Sequence, residues 1–538
     1  MITISSREWR WLVGWASTIM LITSIPYFYG WWLSTPQMQF SGFFLGVEDA
    51  NSYLAKMRMG AEDGWLFHLA YTPEPHQSAY LFTFHLFLGK LAQFTHISFP
   101  LVYHLARIVF GLTLLLTLYC FIAYFVSDLP RRRFAFLVAA TGGGLGWLVI
   151  SLQLASRLGL PLDIYVPEAF IFLVLFHLPH LALAESLLLG AILLILHSWQ
   201  TGDWQPVLWA GCALFLVALI AAFYLGVFVV VLGLTWLALT LTTRSIQKTG
   251  TLLLKLAVAT IFSLPVLVYD AYIFTFNPIL RIWNQQNLIL SPEPWHYLLA
   301  YGLLMILALP GSKTLLAHFR PKTVDPNDPA TYKTLFLVIW CLVFPVLVYL
   351  PFNLQRRLVV GVQVPLVILA TYGVFRLTQK YIRPNRQTLA RAVIILFFSL
   401  TNVFLLLGGL VSVSFRQPPI FHPASQLMAM QWLDEVAAGE VILAVYETGN
   451  VLPAYANVRA FVGHGPETVN SEEKRQQAKQ FFSREIPDGW RRDLLKKFNI
   501  RYVYYGPNEK AAGEFAPGQA AYLEEVYNHG DIQIFEVK

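Results

Sequence analysis

The sequence predicts an α-helical polytopic membrane protein that ends in a C-terminal α/β soluble domain, and three observations predict it. Only 13% of the 538 residues are charged, about half the roughly 25% usual in soluble globular domains. Apolar runs recur along the chain, many longer than the ~18 residues needed to cross a hydrocarbon core of ~30 Å. From about Phe415 the pattern changes: charges become frequent and apolar runs shrink to strand length. A mean hydropathy of +0.55 and an aromatic share of 15% suit a lipid-facing surface with interfacial belts.

The apolar runs place about eleven transmembrane helices, near residues 11–33, 100–127, 134–154, 180–198, 205–222, 225–243, 252–273, 296–312, 334–351, 358–378 and 391–413. The first run follows Arg7 and Arg10. It is too long for a signal-peptide core and lacks a small-residue cleavage site, so it is expected to remain as a helix. With the N-terminus cytoplasmic, the inside loops hold Arg131 to Arg133, Arg244 and Lys248, Lys313, Arg320 and Lys322, and Lys380, Arg383 and Arg386. That bias is the one expected of cytoplasmic loops. The loop from His197 to Asp203, with no Lys or Arg, is the exception. An odd helix count puts the C-terminus outside. The expectation is a multi-pass protein of the plasma (inner) membrane, with a transmembrane part over 1–414 and an extracytoplasmic α/β domain over 415–538.

The net charge of +7 does not point to nucleic acid, because the basic residues sit in loops between apolar runs with no binding motif among them. Cys120, Cys212 and Cys341 all fall in apolar runs and imply neither a metal site nor a disulfide framework.

Two outside segments are long. The first, 34–99, contains a helix-like stretch from Ala50 to Gly60, a break at Gly64, and an apolar, aromatic stretch from Ala79 to Phe94. It reads as interfacial helices. The second, Phe274 to Trp295, is polar and turn-rich and reads as a mobile connection. In the soluble part, strands are expected at 441–446, 459–462, 500–505 and 532–537, with helices at 425–438 and 472–482.

Glu48 and Asp49 are adjacent carboxylates shortly after the first helix. By position alone, Asp49 reads as the N-cap of helix 50–60, with Glu48 solvated. The glycines from 142 to 146 follow no strand and fit no nucleotide fingerprint; they read as close packing or a kink. His177 and His180, with Glu168 upstream, read as interfacial histidines beside Pro179 or as a polar or metal-binding cluster.

Asp49-x-x-x-Tyr53, then Gly64-Trp65-Leu66 and Tyr71-Thr72-Pro73-Glu74, resembles the first external loop of the GT-C glycosyltransferases. These polytopic enzymes use lipid-phosphate-linked sugars, and include protein O-mannosyltransferases, aminoarabinose transferases and bacterial relatives. The likeness extends through Gly142-Gly143-Gly144-Leu145-Gly146-Trp147, His177-Leu178-Pro179-His180, Asn353-Leu354-Gln355-Arg356-Arg357, Gly463-His464-Gly465-Pro466-Glu467-Thr468 and Tyr502-Val503-Tyr504-Tyr505-Gly506. Where the family has Asp-Glu, this chain has Glu48-Asp49, a shift of one.

The resemblance implies an inverting-type transferase that moves a sugar from a polyprenyl-phosphate-linked donor to a glycan, lipid or protein acceptor of the cell envelope. An acidic residue of the first loop is the base or a metal ligand in that superfamily. Anchored on Tyr53, Asp49 is the expected base, with Glu48 supporting or replacing it. Arg356 and Arg357 are expected at the donor phosphate, as guanidinium forks match phosphate oxygens; the bland alternative is snorkelling toward headgroups. Arg281 is either a second phosphate contact or a solvated loop charge. Tyr53, Glu74, His76 and His180 complete the expected substrate contacts, although Glu74-Pro75-His76 also reads as a turn. His464 and Glu467 read as ordinary loop residues, the alternative being that they face the active site. A divalent metal ion is a possible cofactor, with no ligand set assigned. The alternatives are a transporter or flippase of lipid-linked saccharides, and a non-catalytic membrane anchor for the soluble domain.

Overall fold

A computed structural model describes residues 4–62, 64–317 and 328–538. Among them, eight helices are long and apolar enough to cross a membrane: Ser6–Leu33, Phe99–Phe125, Pro179–Thr201, Tyr224–Thr243, Pro294–Leu316, Ala330–Leu347, Gln355–Tyr381 and Pro384–Ser414. The pair Ile246–Ile261 and Leu264–Phe276, bent by 53°, makes a ninth span if taken as one. Gln205–Ala221 is apolar but shorter. The chain is an integral, multi-pass membrane protein. Arg320 and Lys322, two of the expected inside charges, lie outside the described residues.

The helix expected at 134–154 is not continuous. Leu129–Thr141 ends at Gly142, and only the short Gly146–Ser151 follows. The glycines between are fixed from outside the helix. The Gly143 N–H donates to Phe398 O at 2.7 Å. Gly144 and Gly146 donate to the Asp163 carboxylate at 2.8 and 3.0 Å. A Cβ at Gly144 would lie 2.4 Å from the Ala300 carbonyl. Close packing is therefore the reason for these glycines, and no phosphate loop is present here.

The chain divides into two compact units. The first takes residues up to 25, 105–269 and 288–408. Its helices meet at small residues: a Cβ on Gly311 would be 1.9 Å from Leu369 O, and one on Gly373 1.9 Å from Leu307 O. Such contacts let backbones approach where lipid supplies no hydrophobic drive. Several buried charges in this unit are paired, as Glu8 with Arg132 at 3.0 Å, or hydrogen-bonded, as Arg107 to Thr23, Ser24 and Leu175 O.

The second unit takes 26–104, 270–287 and 409–538. Met38–Phe40 pairs antiparallel with Phe421–Pro423. Segment 34–99 carries the helices Val47–Glu62 and Thr83–Thr95. They touch backbone to backbone: a Cβ at Gly60 would be 2.1 Å from Leu86 O, and one at Gly89 1.8 Å from Met57 O.

The connection expected to be mobile contains a helix, Pro278–Gln286. Asn277 caps it by accepting from the Ile279 and Leu280 N–H groups. Leu280 and Trp283 are buried beside Phe67, Leu69 and Tyr71. Polarity masked an N-cap followed by Pro at the first helical position, a standard start signal.

The five-stranded sheet runs Arg459–Ala460, Val441–Leu443, Ile500–Tyr505, Ile532–Val537, Leu523–His529. The first three strands are parallel and the last two join antiparallel. Helices Ala424–Val436 and Ser471–Phe481 lie where the sequence placed them. Three further helices, Tyr446–Tyr455, Asp488–Lys497 and Pro507–Ala512, were not expected.

Candidate active site

The helix bearing the two carboxylates begins at Val47, so Glu48 and Asp49 lie inside its first turn. This corrects the reading of Asp49 as an N-cap. The first turn still favours negative charge through the helix dipole. The Asp49 side chain is 62% exposed, and its Oδ1 lies 3.1 Å from His464 Nε2.

Behind that contact a chain of polar groups runs inward. His464 is buried, and its Nδ1 lies 3.6 Å from Glu467 Oε1. Glu467 Oε1 accepts from Lys56 Nζ at 2.6 Å and Ser52 Oγ at 2.7 Å. Lys56 is 1% exposed, and its ammonium sits 4.4 Å from the Phe82 ring centroid. Burial opposes ionisation of Glu467, but Lys56, His464 and the hydroxyl of Ser52 together hold its carboxyl below the ordinary value. His464 and Glu467 are therefore the inner links of this cluster, which favours the second of their two readings over that of ordinary loop residues. A signal existed in the sequence: polar residues at 49, 52 and 56 share one helical face by spacing.

Glu48 turns away from Asp49, because neighbours on a helix diverge by about 100°. It accepts a short hydrogen bond from the Tyr446 hydroxyl, which itself accepts from the Gly465 N–H at 2.7 Å. The Arg475 guanidinium stacks 3.3 Å from the Tyr446 ring centroid. Burial, and then the bond to Glu48, push the Tyr446 phenol well above its ordinary value. Asn450 joins both parts, accepting from Asn51 at 2.8 Å and donating to Glu48 O at 3.2 Å.

The other expected residues of this unit have different surroundings. Tyr53 stacks on His85, with centroids 4.6 Å apart, and on Tyr103 at 6.1 Å. Glu74 meets the buried Lys474 at 2.5 and 2.7 Å. His76 accepts from the Leu69 N–H at 2.9 Å, so its Nδ1–H donates to Glu74 O at 2.8 Å. Burial lowers its pKa and keeps it neutral. Both thus hold the turn together, as its alternative reading has it. Arg281 is exposed on helix Pro278–Gln286.

Arg356, Arg357 and His180 belong to the first unit. Arg357 Nε lies 3.3 Å from the buried Glu168 carboxylate. Arg356 stacks 5.3 Å from the Tyr165 ring centroid. His180 is half-buried in the first turn of helix Pro179–Thr201.

Among the described residues no group of three or more His, Cys, Asp or Glu side chains has the arrangement of a metal site. Near Asp49, Glu467 is already neutralised by Lys56, and Glu48 accepts from the Tyr446 hydroxyl.

No described protein family and no curated protein matches this sequence. Solved structures do. The arabinofuranosyltransferase AftD from Mycobacteria aligns with 99% of this chain at TM-score 0.59 and 14% identity. The chain spans 40% of AftD's own length. The Archaeoglobus fulgidus oligosaccharyltransferase, with an acceptor peptide containing the NVT sequon tethered to it, aligns with 91% of this chain and 69% of its own, at TM-score 0.50 and 13% identity. ArnT from Cupriavidus metallidurans, bound to undecaprenyl phosphate, aligns over 97% and 98% at TM-score 0.48 and 13% identity. The first two show the fold: this polytopic membrane chain shares the architecture of those two membrane proteins.

Proposed function

We propose that the protein is a glycosyltransferase, moving a sugar from a polyprenyl-phosphate-linked donor to a cell-envelope acceptor at the extracytoplasmic face. The observation that carries this reading is Asp49: an exposed carboxylate in the first turn of a helix, backed by the buried His464–Glu467–Lys56 chain, on a GT-C fold. The likeness to the arabinofuranosyltransferase and the oligosaccharyltransferase, both transferases of sugars, supports it.

In the transfer, the bond between the sugar's anomeric carbon and the phosphate oxygen breaks and polyprenyl phosphate leaves. The acceptor oxygen forms the new glycosidic bond and its proton passes to Asp49. A positioned base of this kind contributes about 10²–10⁴ in rate. A hydrogen bond from His464 favours the ionised, proton-accepting form of Asp49. Arg357, with Arg356 as its alternative, is the proposed contact to the donor phosphate.

The test is to incubate the purified protein with radiolabelled polyprenyl-phosphate sugars and cell-envelope fractions. Label joined covalently to an acceptor, with release of polyprenyl phosphate, is expected. Movement of the intact lipid-linked sugar across a vesicle membrane with no joined product would return the transporter reading. Orientation is tested separately. Glu472→Cys, at an exposed position, should react with an impermeant thiol reagent in intact cells; reaction only after lysis would invert the proposed topology.

A further inference from the structure

A second feature of the unit that carries Asp49 is a cleft of about 580 Å3, within the roughly 300–1,000 Å3 typical of small-molecule sites. Glu48 and Tyr446 line it, together with His422, Gln426 and Asn508. His422 sits on the short strand Phe421–Pro423 and is 1% exposed. Its Nδ1 lies 3.2 Å from the Gln426 carbonyl oxygen, while its Nε2 is buried with no hydrogen-bond partner among the described residues. A buried polar atom without a partner is unfavourable, so this one calls for an occupant that supplies the bond. Burial lowers the His422 pKa to about 4. The ring is therefore neutral at neutral pH. With Nδ1–H donating to Gln426, Nε2 is an acceptor awaiting a donor such as a hydroxyl.

We infer that this cleft is a subsite for an uncharged oligosaccharide, the acceptor, with one sugar hydroxyl donating to His422 Nε2 and the chain leading toward Glu48. This rests on the transferase reading above. Two features select the ligand class. Glu48, Glu447 and Asp531 face a single cation, Arg475, in the lining, so a phosphate or other anion is disfavoured. Amides from Gln426, Asn450 and Asn508 are spread around the walls, as suits a ligand with many hydroxyls rather than one charged head.

Saturation-transfer NMR on the full chain in nanodiscs, with a fixed panel of uncharged gluco-, manno-, galacto- and arabino-disaccharides, tests this. At least one disaccharide should receive saturation, and His422→Phe should reduce that signal at least tenfold. Asn508→Leu is the second variant, with the same loss expected, in case His422→Phe fails to fold. Asp49→Asn should leave the signal unchanged, because Asp49 is not among the cleft's residues. No transfer to any disaccharide, or an undiminished signal in a folded variant, overturns the inference. So does transfer to a panel of polar tripeptides in place of the sugars. If saccharide binds as expected but Asp49→Asn keeps full turnover, the base assignment fails while the subsite stands. If turnover needs Asp49 and no disaccharide binds, the reverse holds.

Discussion

The turn at 72–76 and the helix start at 47–49 belong to the same unit, and each brings a carboxylate into a network with a buried lysine, yet the outcomes are opposite. Glu74 meets Lys474 directly at 2.5 Å, with 23% and 2% of their side chains exposed. Burial pulls the Lys474 ammonium below its ordinary value even with Glu74 beside it. The pair closes the turn and leaves Glu74 little capacity for anything else. At the helix start, Lys56 neutralises Glu467 instead, and His464 stands between that pair and Asp49. The lysine's charge is consumed one step back, and Asp49 stays in solvent. A carboxylate touching a buried cation builds structure; one held at a remove from it stays open to solvent, as the proposed base requires.

The comparison can be broken most sharply at Asp49. Asp49→Asn keeps size and hydrogen-bonding while removing the proton acceptor, so turnover should fall by about 10²–10⁴ with an unchanged unfolding midpoint. Unchanged turnover with the joint change Glu48→Gln and Asp49→Asn would falsify the base assignment. Glu74→Gln should do the opposite. It leaves Lys474 without its countercharge, costing roughly 1–3 kcal/mol, and should lower the unfolding midpoint while folded molecules retain their turnover. A loss of turnover per folded molecule would make Glu74 a substrate contact after all.

The smallest effect is in pH. The Glu467 carboxyl lies below its ordinary value of 4.5 in the folded chain. Its contribution to stability is therefore full above the unfolded value and is lost as pH falls through the folded one. Thermal unfolding followed below pH 5 should show a downward slope that Glu467→Gln flattens. An identical slope in that variant would mean that other carboxylates carry the acid sensitivity.

Eight of the eleven expected spans were legible, because a hydrocarbon core demands long apolar runs, and the shift near Phe415 was legible for the same reason in reverse. At Gly142 the glycines gave away close packing or a kink but not a full break, since apolar content is the same whether a helix continues or is opened by partners such as Asp163 and Phe398. Strand Leu523–His529 was missed because it lies at the sheet edge, mostly exposed, with Glu524 and Glu525 in place of an apolar run. At the site, Glu48 and Asp49 were found through a family likeness, and local spacing alone favoured a cap. His464 and Glu467 were passed over because their partners lie 415 residues away, at Asp49 and Ser52. Only folding joins such positions, and Lys56 carries no motif that announces its burial.

That separation has a consequence for synthesis. The first strand of the antiparallel pair, Met38–Phe40, and the helix after it are made long before the residues that complete them. With 415 residues between Asp49 and His464, a ribosome adding about 5–20 residues per second needs roughly 20–80 s to deliver the missing half. Throughout that interval Lys56 has no Glu467 to neutralise it, and the unpaired edge of Met38–Phe40 is open to other chains. The nascent protein is thus most vulnerable to misassembly while its later spans are still being inserted, and the site is born only when the last segment arrives.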